Sequence, residues 1–272
     1  MPELPEVETL RRGLVPLVAN KICVEIKFFR DDIRFPIPKD ILQQKFQGKI
    51  VSSLTRQGKY ILWNVEEGAL VLHLGMSGRV TRRDSMKPQE PHTHVILHFS
   101  PDIYLHYIDP RRFGCMVWAP KQTGHPLLNN LGPDPFDSET TAQSLKSKAK
   151  NSRAPIKAFI MNSKQLAGVG NIYACESLYH AGIRPTRKSG KLTKKDWDRL
   201  LTCIRKTLEK SIAAGGTTLR DFYNSDGKSG YFAIQLSVYG KENSPCPACK
   251  TPIKRLVHSG RSTFYCQVCQ KC

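Results

Sequence analysis

The sequence lacks any run of about 18 consecutive apolar residues, which is close to the minimum length of a membrane-spanning helix. Its first eight residues, MPELPEVE, contain three glutamates and no lysine or arginine, unlike the basic start of a secretion signal. No internal repeat or low-complexity segment is present. These absences argue against a membrane or secreted protein and predict a globular protein inside the cell.

Acidic side chains are also scarce, with 23 Asp and Glu against 42 Lys and Arg, which leaves a formal charge of +19. This excess favours a polyanionic partner, although a ribosomal or membrane-surface protein would have a similar charge. A chain of 272 residues that is 40% hydrophobic is long enough for two domains and a smaller module.

Hydrophobic spacing divides the chain into a β-rich part and a helical part. Apolar residues three and four apart from Val7 to Leu17 predict a first helix that ends near Asn20. Short β-rich runs then predict a β-sandwich or flattened barrel, with one helical insertion at residues 39–46. The runs are ICVEIKFF, KIVSSLTR, YILWNV, ALVLHLG, HVILHF, IYLHYI and CMVWA.

Residues 120–135 are dense in proline and glycine and mark a domain boundary. Four helical patterns follow, the last ending at Gly215 and Gly216. Residues 217–232 are rich in Gly, Ser, Asp and Asn, as in a functional loop or a disordered segment. The chain is therefore expected to be an α+β multidomain protein.

The nine cysteines fall into two groups. Four are scattered singly in apolar surroundings, as buried reduced thiols are: Cys23, Cys115, Cys175 and Cys203. Two Cys-x-x-Cys pairs near the C-terminus have the spacing of a zinc ribbon, with disulfides or a redox dithiol as alternatives. The predicted ligands of one structural zinc ion are Cys246, Cys249, Cys266 and Cys269, which leaves Cys272 outside the pattern.

The segment between the two cysteine pairs can form a hairpin with Ser259 and Gly260 near its tip. Residues 241–272 are strongly basic and suit contact with phosphates. Arg261 lies near the tip, where it either reaches a substrate or remains a solvated arginine.

The N-terminal MPELPEVE segment supports two interpretations. Pro5, Glu6 and Glu8 make a good helix start, because proline and acids are favoured in the first turn. Removal of the initiator methionine would also make Pro2 a secondary amine beside Glu3. An α-amino group titrates near ~8, so part of it is nucleophilic at neutral pH.

Three further motifs are compatible with DNA binding. GVGNIYACESL at 168–178 begins a helix with free backbone N–H groups, which suit either a phosphate or ordinary capping by Asn171. HLGMSG and DPRRFG place Met76 and Phe113 in turns, as core residues or, beside Arg111, as wedges for a base stack. In PHTH, His94 is expected to be buried and His92 to contact phosphate.

Together these motifs, with the lysine of TRQGKY, resemble those of the formamidopyrimidine-DNA glycosylase family over the whole chain. The resemblance implies an N-terminal β-sandwich (1–130), a helix-two-turn-helix domain (131–240) and a zinc finger (241–272). It implies a bifunctional DNA glycosylase and abasic-site lyase that removes oxidised purines from duplex DNA. The expected protein is monomeric, without membrane attachment, in the bacterial cytoplasm at the nucleoid.

The resemblance also implies roles for individual residues. Pro2 matches the nucleophile, Glu3 the general acid, Lys59 the β-elimination lysine, and Arg261 the arginine of the second, δ-elimination. The side chains that fill the space of the extruded base match Met76, Arg111 and Phe113, and the phosphate contacts match His92, Arg153 and Asn171. Glu6 resembles a second pocket carboxylate, and the loop at 217–232 matches one that covers the extruded base.

Two other functions remain open. An endonuclease VIII-type enzyme would prefer oxidised pyrimidines, but that group typically has glycine in place of Leu4 and lacks the full set of wedge residues. A non-catalytic zinc-ribbon protein that binds DNA would explain the charge and the cysteines without any chemistry.

Overall fold

The computed structural model describes residues 2–215, 236–258 and 260–271. The expectations for Met1, for the loop at 217–232, for Ser259 and for Cys272 concern residues outside these ranges. Two compact units are present, one formed by residues 2–129 and the other by residues 130–213 with the described residues after 235.

The first unit begins with helix α1 (Leu4–Val18), as the apolar spacing predicts. Leu10, Leu14 and Val18 are at most 2% exposed and form its buried face, whereas Leu17 is half-buried. Glu3 is the N-cap and forms a capping box with Glu6, and a proline follows in the first turn. Burial of this face against the core fixes the position of the N-terminus.

The rest of the first unit is built from two antiparallel sheets, which confirms the predicted β-sandwich. One has the strand order β2-β1-β7-β8-β6 and the other β3-β4-β5-β9. The strands are β1 Lys21–Phe28, β2 Ile50–Val51, β3 Ser53–Gln57, β4 Tyr60–Val65, β5 Gly68–His73, β6 Arg79–Arg83, β7 Thr93–Phe99, β8 Ile103–Ile108 and β9 Cys115–Pro120. Two short helices complete the unit, α2 Lys39–Lys45 and α3 Pro126–Asn129.

One apolar cluster connects α1 with both sheets. Trp63 of β4 and Phe99 of β7 stack across it with ring centroids 5.7 Å apart. Strand β6 is an addition to the predicted set, because RVTRR buries only Val80 and Thr81 and its three arginines conceal the alternation. The predicted run at 49–56 is divided into β2 and β3.

The second unit contains four α-helices, a 3-10 turn and a hairpin among its described residues. They are α4 Ala142–Ala149, α5 Ile156–Met161, α6 Asn171–His180, the 3-10 turn Ser189–Lys191, α7 Lys194–Ala213, β10 Lys254–His258 and β11 Arg261–Tyr265. Trp197 of α7 is fully buried and meets Phe159 of α5 edge-on at 5.6 Å. The hairpin packs against α6 through an apolar cluster that includes Cys175 and Phe264.

The scattered cysteines are buried at positions 23, 115 and 175, as predicted, whereas Cys203 is half-buried. Among the described residues, no helix is both long enough and apolar enough to cross a bilayer.

Candidate active site

The start of α1 presents Pro2 and Glu3, both of which are buried. The Glu3 backbone N–H donates to Glu6 Oε2 at 2.8 Å, and the Glu6 side chain is fully buried. Helix capping and a carboxyl group beside Pro2 therefore occur in the same structure. A buried carboxyl in this position is suited to proton transfer next to an amine.

Lys59 lies in the tight turn between β3 and β4, where the preceding Gly58 has a φ of +58°. Arg56 of β3 supports this turn by donating from Nη1 to the Gly58 carbonyl at 2.9 Å. The same guanidinium donates from Nε to Glu8 Oε2 of α1 at 3.3 Å. One arginine thus connects α1 with the turn that carries the candidate lysine.

His73, at the end of β5, is close to this turn but was not singled out from the sequence. Its ring lies 4.6 Å from that of Tyr60, its partner across the β4–β5 pair. Burial lowers the pKa of His73 to about 4, and the positive charges of Lys59 and Arg34 act in the same direction. A neutral imidazole can accept a hydrogen bond, and its Nδ1 accepts one from the Gly75 N–H at 3.1 Å.

The three candidate wedge side chains occupy two neighbouring loops of the first unit. Met76 lies between β5 and β6 and is 38% exposed, while Phe113 lies between β8 and β9 and is 44% exposed. The Arg111 guanidinium lies over the Phe113 ring at 4.9 Å from its centroid. Exposure of these side chains argues against the alternative in which Met76 and Phe113 belong to the core.

The two loops pack backbone to backbone. A Cβ added at Gly75 would overlap the backbone of Phe113 and Gly114, and one at Gly114 would overlap the Tyr107 hydroxyl and the His73 carbonyl. The glycines of HLGMSG and DPRRFG therefore permit a close approach that no other residue allows.

A buried carboxylate, Asp109, lies beneath these loops and was missed by sequence reasoning. It is 0% exposed, and it accepts hydrogen bonds from Ser77 Oγ at 2.7 Å, from the Gly114 N–H at 2.8 Å and from the Tyr107 hydroxyl at 3.3 Å. Its position as the first residue of DPRRFG was the only available signal, because Ser77, the partner from the other loop, is 32 residues away in sequence.

The two histidines of PHTH differ as predicted in burial. His94 is 3% exposed, and its Nε2 lies 2.8 Å from the Asp109 carbonyl. His92 is exposed and has a left-handed φ of +65°. Its carbonyl accepts a hydrogen bond from the Asp109 N–H at 3.1 Å. The phosphate contact itself remains a prediction.

In the second unit, Asn171 is the first residue of α6, and Gly170 is the N-cap. The alternative of capping by the Asn171 side chain is therefore wrong. Its Nδ2 instead donates to the Ser262 carbonyl of the hairpin at 3.1 Å, and its Oδ1 is buried without a hydrogen-bond partner among the described residues.

Lys157 of α5 is a second charged residue that sequence reasoning missed. It is 4% exposed and donates from Nζ to Thr263 Oγ1 at 2.6 Å and to the Ser262 carbonyl at 3.1 Å. A cavity of about 320 Å³ lies between α5 and the hairpin and is lined in part by Lys157, His258 and Arg261. Arg153 is exposed in the turn before α5.

The four predicted zinc ligands converge. Their sulfur atoms all lie within 4.8 Å of one another, with 3.8 Å between Cys246 and Cys269 and 3.4 Å between Cys249 and Cys266. A tetrahedron with Zn–S bonds of about 2.3 Å has edges of about 3.8 Å, so the thiols fit one zinc ion. Tyr179 Oη lies 3.3 Å from Cys246 Sγ and connects α6 with the cluster.

Three family models match successive parts of the chain. The formamidopyrimidine-DNA glycosylase N-terminal domain matches residues 1–116, the H2TH domain of the same glycosylase matches 131–223, and the zinc finger found in FPG and IleRS matches 243–271. The formamidopyrimidine-DNA glycosylase of Marinobacter nauticus is 43% identical, with 100% of both chains covered. The chain belongs to the formamidopyrimidine-DNA glycosylase family.

Solved structures of similar proteins agree in fold. The MutM (FPG) protein from Thermus thermophilus is 37% identical, with a TM-score of 0.87 over 99% of this chain and 98% of its own. A Lactococcus lactis FPG mutant, solved with DNA containing Fapy-dG, is 30% identical, with a TM-score of 0.87 over 99% of this chain and 100% of its own. As a formamidopyrimidine-DNA glycosylase family member, the chain is an enzyme, a DNA glycosylase with abasic-site lyase activity, and carries a zinc finger for one structural Zn²⁺.

Proposed function

We propose that this glycosylase removes oxidised purines, such as 8-oxoguanine and formamidopyrimidines, from duplex DNA and then nicks the abasic site. The observation that carries the proposal is the buried Pro2–Glu3 pair in the same unit as the exposed wedge side chains. Similar proteins were solved with DNA that contains Fapy-dG, carbocyclic 8-oxo-G or an abasic site, which supports this class of substrate.

The wedge residues act first. Extraction of a base leaves a gap in the stack, and the apolar Met76 and Phe113 fill it without requiring hydrogen bonds. Arg111 adds a planar cation beside them. Extrusion costs unstacking and unpairing energy, and this cost is lower for a damaged base than for a normal one.

Pro2 then acts as the nucleophile after removal of Met1. Its secondary amine attacks C1′ of the sugar as the base departs with the glycosidic electron pair, and the proton that the amine loses neutralises the base. Glu3 then donates a proton to the ring oxygen as the C1′–O bond breaks. The resulting iminium has no N–H to lose, so its positive charge persists as an electron sink.

Two eliminations follow from this iminium. Loss of a proton from C2′ expels the 3′-phosphate, with Lys59 assigned to this β-elimination. Loss of a second proton, from C4′, expels the 5′-phosphate in the δ-elimination, with Arg261 of the zinc finger assigned to this step. Each step breaks one C–O bond and returns the electron pair to the departing phosphate.

Polar and basic side chains position the DNA backbone. His92 in the first unit, and Arg153 and Asn171 in the second, are assigned to phosphate contacts, which set register without reading sequence. Arg111 binds DNA as part of the wedge. The zinc ion holds the hairpin and takes no part in the chemistry. We further propose that the protein acts as a monomer on nucleoid DNA in the bacterial cytoplasm.

Borohydride trapping tests the mechanism. With an 8-oxoguanine:cytosine duplex, the expected result is a covalent protein–DNA adduct that peptide mapping places on an N-terminal peptide beginning with Pro2. Pro2→Glu should abolish the adduct, and Glu3→Gln should slow base release by at least about 100-fold. Lys27→Gln, which changes an exposed lysine of β1, is the control and should leave the adduct unchanged.

The same assay separates the competing functions. Preferential cutting of a thymine glycol duplex would identify an endonuclease VIII-type enzyme. Absence of any adduct would leave a non-catalytic DNA-binding protein. Retention of Met1 in active protein, measured by mass spectrometry, would contradict the role of Pro2.

A further inference from the structure

Hydrogen bonds connect the residues beside the three wedge side chains to one buried carboxylate, either directly or through the Ser77 hydroxyl. We propose that Asp109, acting through Ser77, is a positioning residue that sets Met76, Arg111 and Phe113 in place before DNA is bound. This inference rests on the proposed function, because it assigns a role within base extrusion.

The hydrogen bonds that support the proposal converge from both loops. Ser77 follows Met76 directly, and its Oγ donates to Asp109 Oδ1 while accepting the Arg111 N–H at 3.2 Å. Gly114 follows Phe113 directly and donates its N–H to Asp109 Oδ2. A single carboxylate thus fixes the backbone beside all three wedge side chains.

The burial of Asp109 makes these contacts restrictive. A carboxylate removed from water is stable only when donors surround it, and hydrogen bonds to a charged acceptor are stronger than neutral ones. If the loops moved away from Asp109, its buried carboxylate would lose its hydrogen-bond donors, which is energetically costly. Met76 and Phe113 remain exposed above this fixed backbone.

Fixed loops lower the barrier to extrusion in a specific way. If they were mobile, the entropy of ordering them would be lost at the moment the side chains enter the stack. Preorganisation removes that cost from the extrusion step. An abasic site has no base to extrude, so its cleavage depends less on the wedge than the excision of 8-oxoguanine does.

The test compares two substrates under single-turnover conditions, an 8-oxoguanine:cytosine duplex and the same duplex with a preformed abasic site. Stopped-flow fluorescence of a 2-aminopurine beside the lesion reports opening of the stack. The variants are Asp109→Asn, which keeps the shape but replaces one acceptor by a donor, and Ser77→Ala, which leaves the carboxylate intact. Met76→Ala provides the phenotype of a lost wedge.

We expect Ser77→Ala and Asp109→Asn to slow stack opening and 8-oxoguanine excision by at least about 10-fold, as the loss of a charge-assisted hydrogen bond implies. Abasic-site cleavage should change less than about threefold. Ser77→Thr, which retains the hydroxyl, should restore excision. Ser52→Ala removes a serine hydrogen bond to the Asn64 carbonyl elsewhere in the same unit and should change neither activity.

Equal losses of rate on both substrates would show a general structural role and overturn the proposal. An unchanged rate of stack opening in Ser77→Ala would also overturn it. If Asp109→Asn does not fold, measured by thermal unfolding, Ser77→Ala and Ser77→Thr decide alone. A wild-type protein that neither cuts 8-oxoguanine nor forms the adduct would overturn the proposed function and this inference together. If the wild type cuts 8-oxoguanine and forms the adduct, and Ser77→Ala excises 8-oxoguanine at the wild-type rate, only this inference is overturned.

Discussion

Glu3 is at once the N-cap of α1 and the carboxyl group beside Pro2. The two roles support each other, because the capping box with Glu6 fixes the carboxylate and the helix buries it. The geometry of the pair is thus set by ordinary helix-start chemistry. The sequence could show both roles because the residues that form them are adjacent.

His73 gives a prediction for a single ionisable group. Lys59→Gln should raise the pKa of His73 above about 4, because one of the neighbouring positive charges is removed. Burial is the larger cause, so the pKa should remain below 6.5. NMR titration of the imidazole resonances measures it. A pKa that does not move would show that Lys59 exerts no field at His73.

Residue patterns could not have revealed Asp109 or Lys157. Sequence analysis places charged residues on the surface, yet both are at most 4% exposed. Their partners lie as far away as Thr263, which is 106 positions from Lys157. Only the folded chain shows which donors and acceptors surround a buried charge.

At the scale of elements, α1 is tied to the sheet by a charge cluster centred on Glu8. This glutamate accepts hydrogen bonds from Arg11 and Arg12 of its own helix and from Arg56 of β3. Burial raises the pKa of Glu8, but the hydrogen bonds from Arg11 and Arg12, together with the positive charges of Arg11 and Arg56, outweigh burial and lower it to about 2.

The Glu8 cluster predicts how stability depends on pH. A carboxyl whose pKa is lower in the folded state stabilises the protein above its ordinary pKa of 4.5, and this contribution is lost as pH falls towards 2. The free energy of unfolding of the wild type should therefore fall by about 2 to 3 kcal/mol more over this range than that of Glu8→Gln. Urea unfolding at several pH values measures it. Glu66→Gln, at an exposed position, should behave as wild type.

Arg56 predicts an effect on the lysine turn. Arg56→Met keeps the aliphatic stem but removes the hydrogen bond to the Gly58 carbonyl, so Lys59 is held less firmly. Abasic-site nicking should slow about 10-fold, while the borohydride adduct still forms. Arg12→Met is the matched control, since Arg12 also binds Glu8 but is 61% exposed. Equal loss in both variants would contradict this role.

The strands illustrate which elements can be predicted. IYLHYI becomes β8 with the predicted bounds because a short run of β-branched, aromatic and other apolar residues is a local signal, and five of its six residues are buried. The order β2-β1-β7-β8-β6 could not be predicted, because it depends on pairings between residues as distant as Cys23 and Phe99. Strand β6 was missed because its arginines occupy positions on both faces of the strand and hide the alternation, while only Val80 and Thr81 are buried.

At the scale of the whole molecule, the zinc site was predictable from four residues and their spacing. The Cys-x-x-Cys turns need no long-range information to bring two thiols together. The contacts of the finger with helices α5 and α6, through Thr263, Ser262 and Tyr179, required the structure. These contacts connect the metal to the buried Lys157 and to the candidate phosphate-binding residue Asn171.

Removal of zinc should therefore disrupt more than the finger. Without the metal the hairpin unfolds, and Lys157 and Asn171 lose their partners on β11. Affinity for a lesion duplex, measured by fluorescence anisotropy, should fall at least about 10-fold, and its dependence on salt should become shallower as phosphate contacts are lost. Zinc added back after chelation should restore both.

A pair of cysteine variants controls for chelator effects. Cys249→Ser should reproduce the loss of affinity and of bound zinc, whereas Cys203→Ser, at a half-buried thiol outside the cluster, should retain both. Circular dichroism of Cys249→Ser should keep the β-sheet signal, because both sheets of the first unit form without residues of the finger. Tight, salt-sensitive DNA binding in zinc-free protein would show that the finger does not hold the phosphate contacts, which would then have to come from residues outside it, such as the exposed His92 and Arg153.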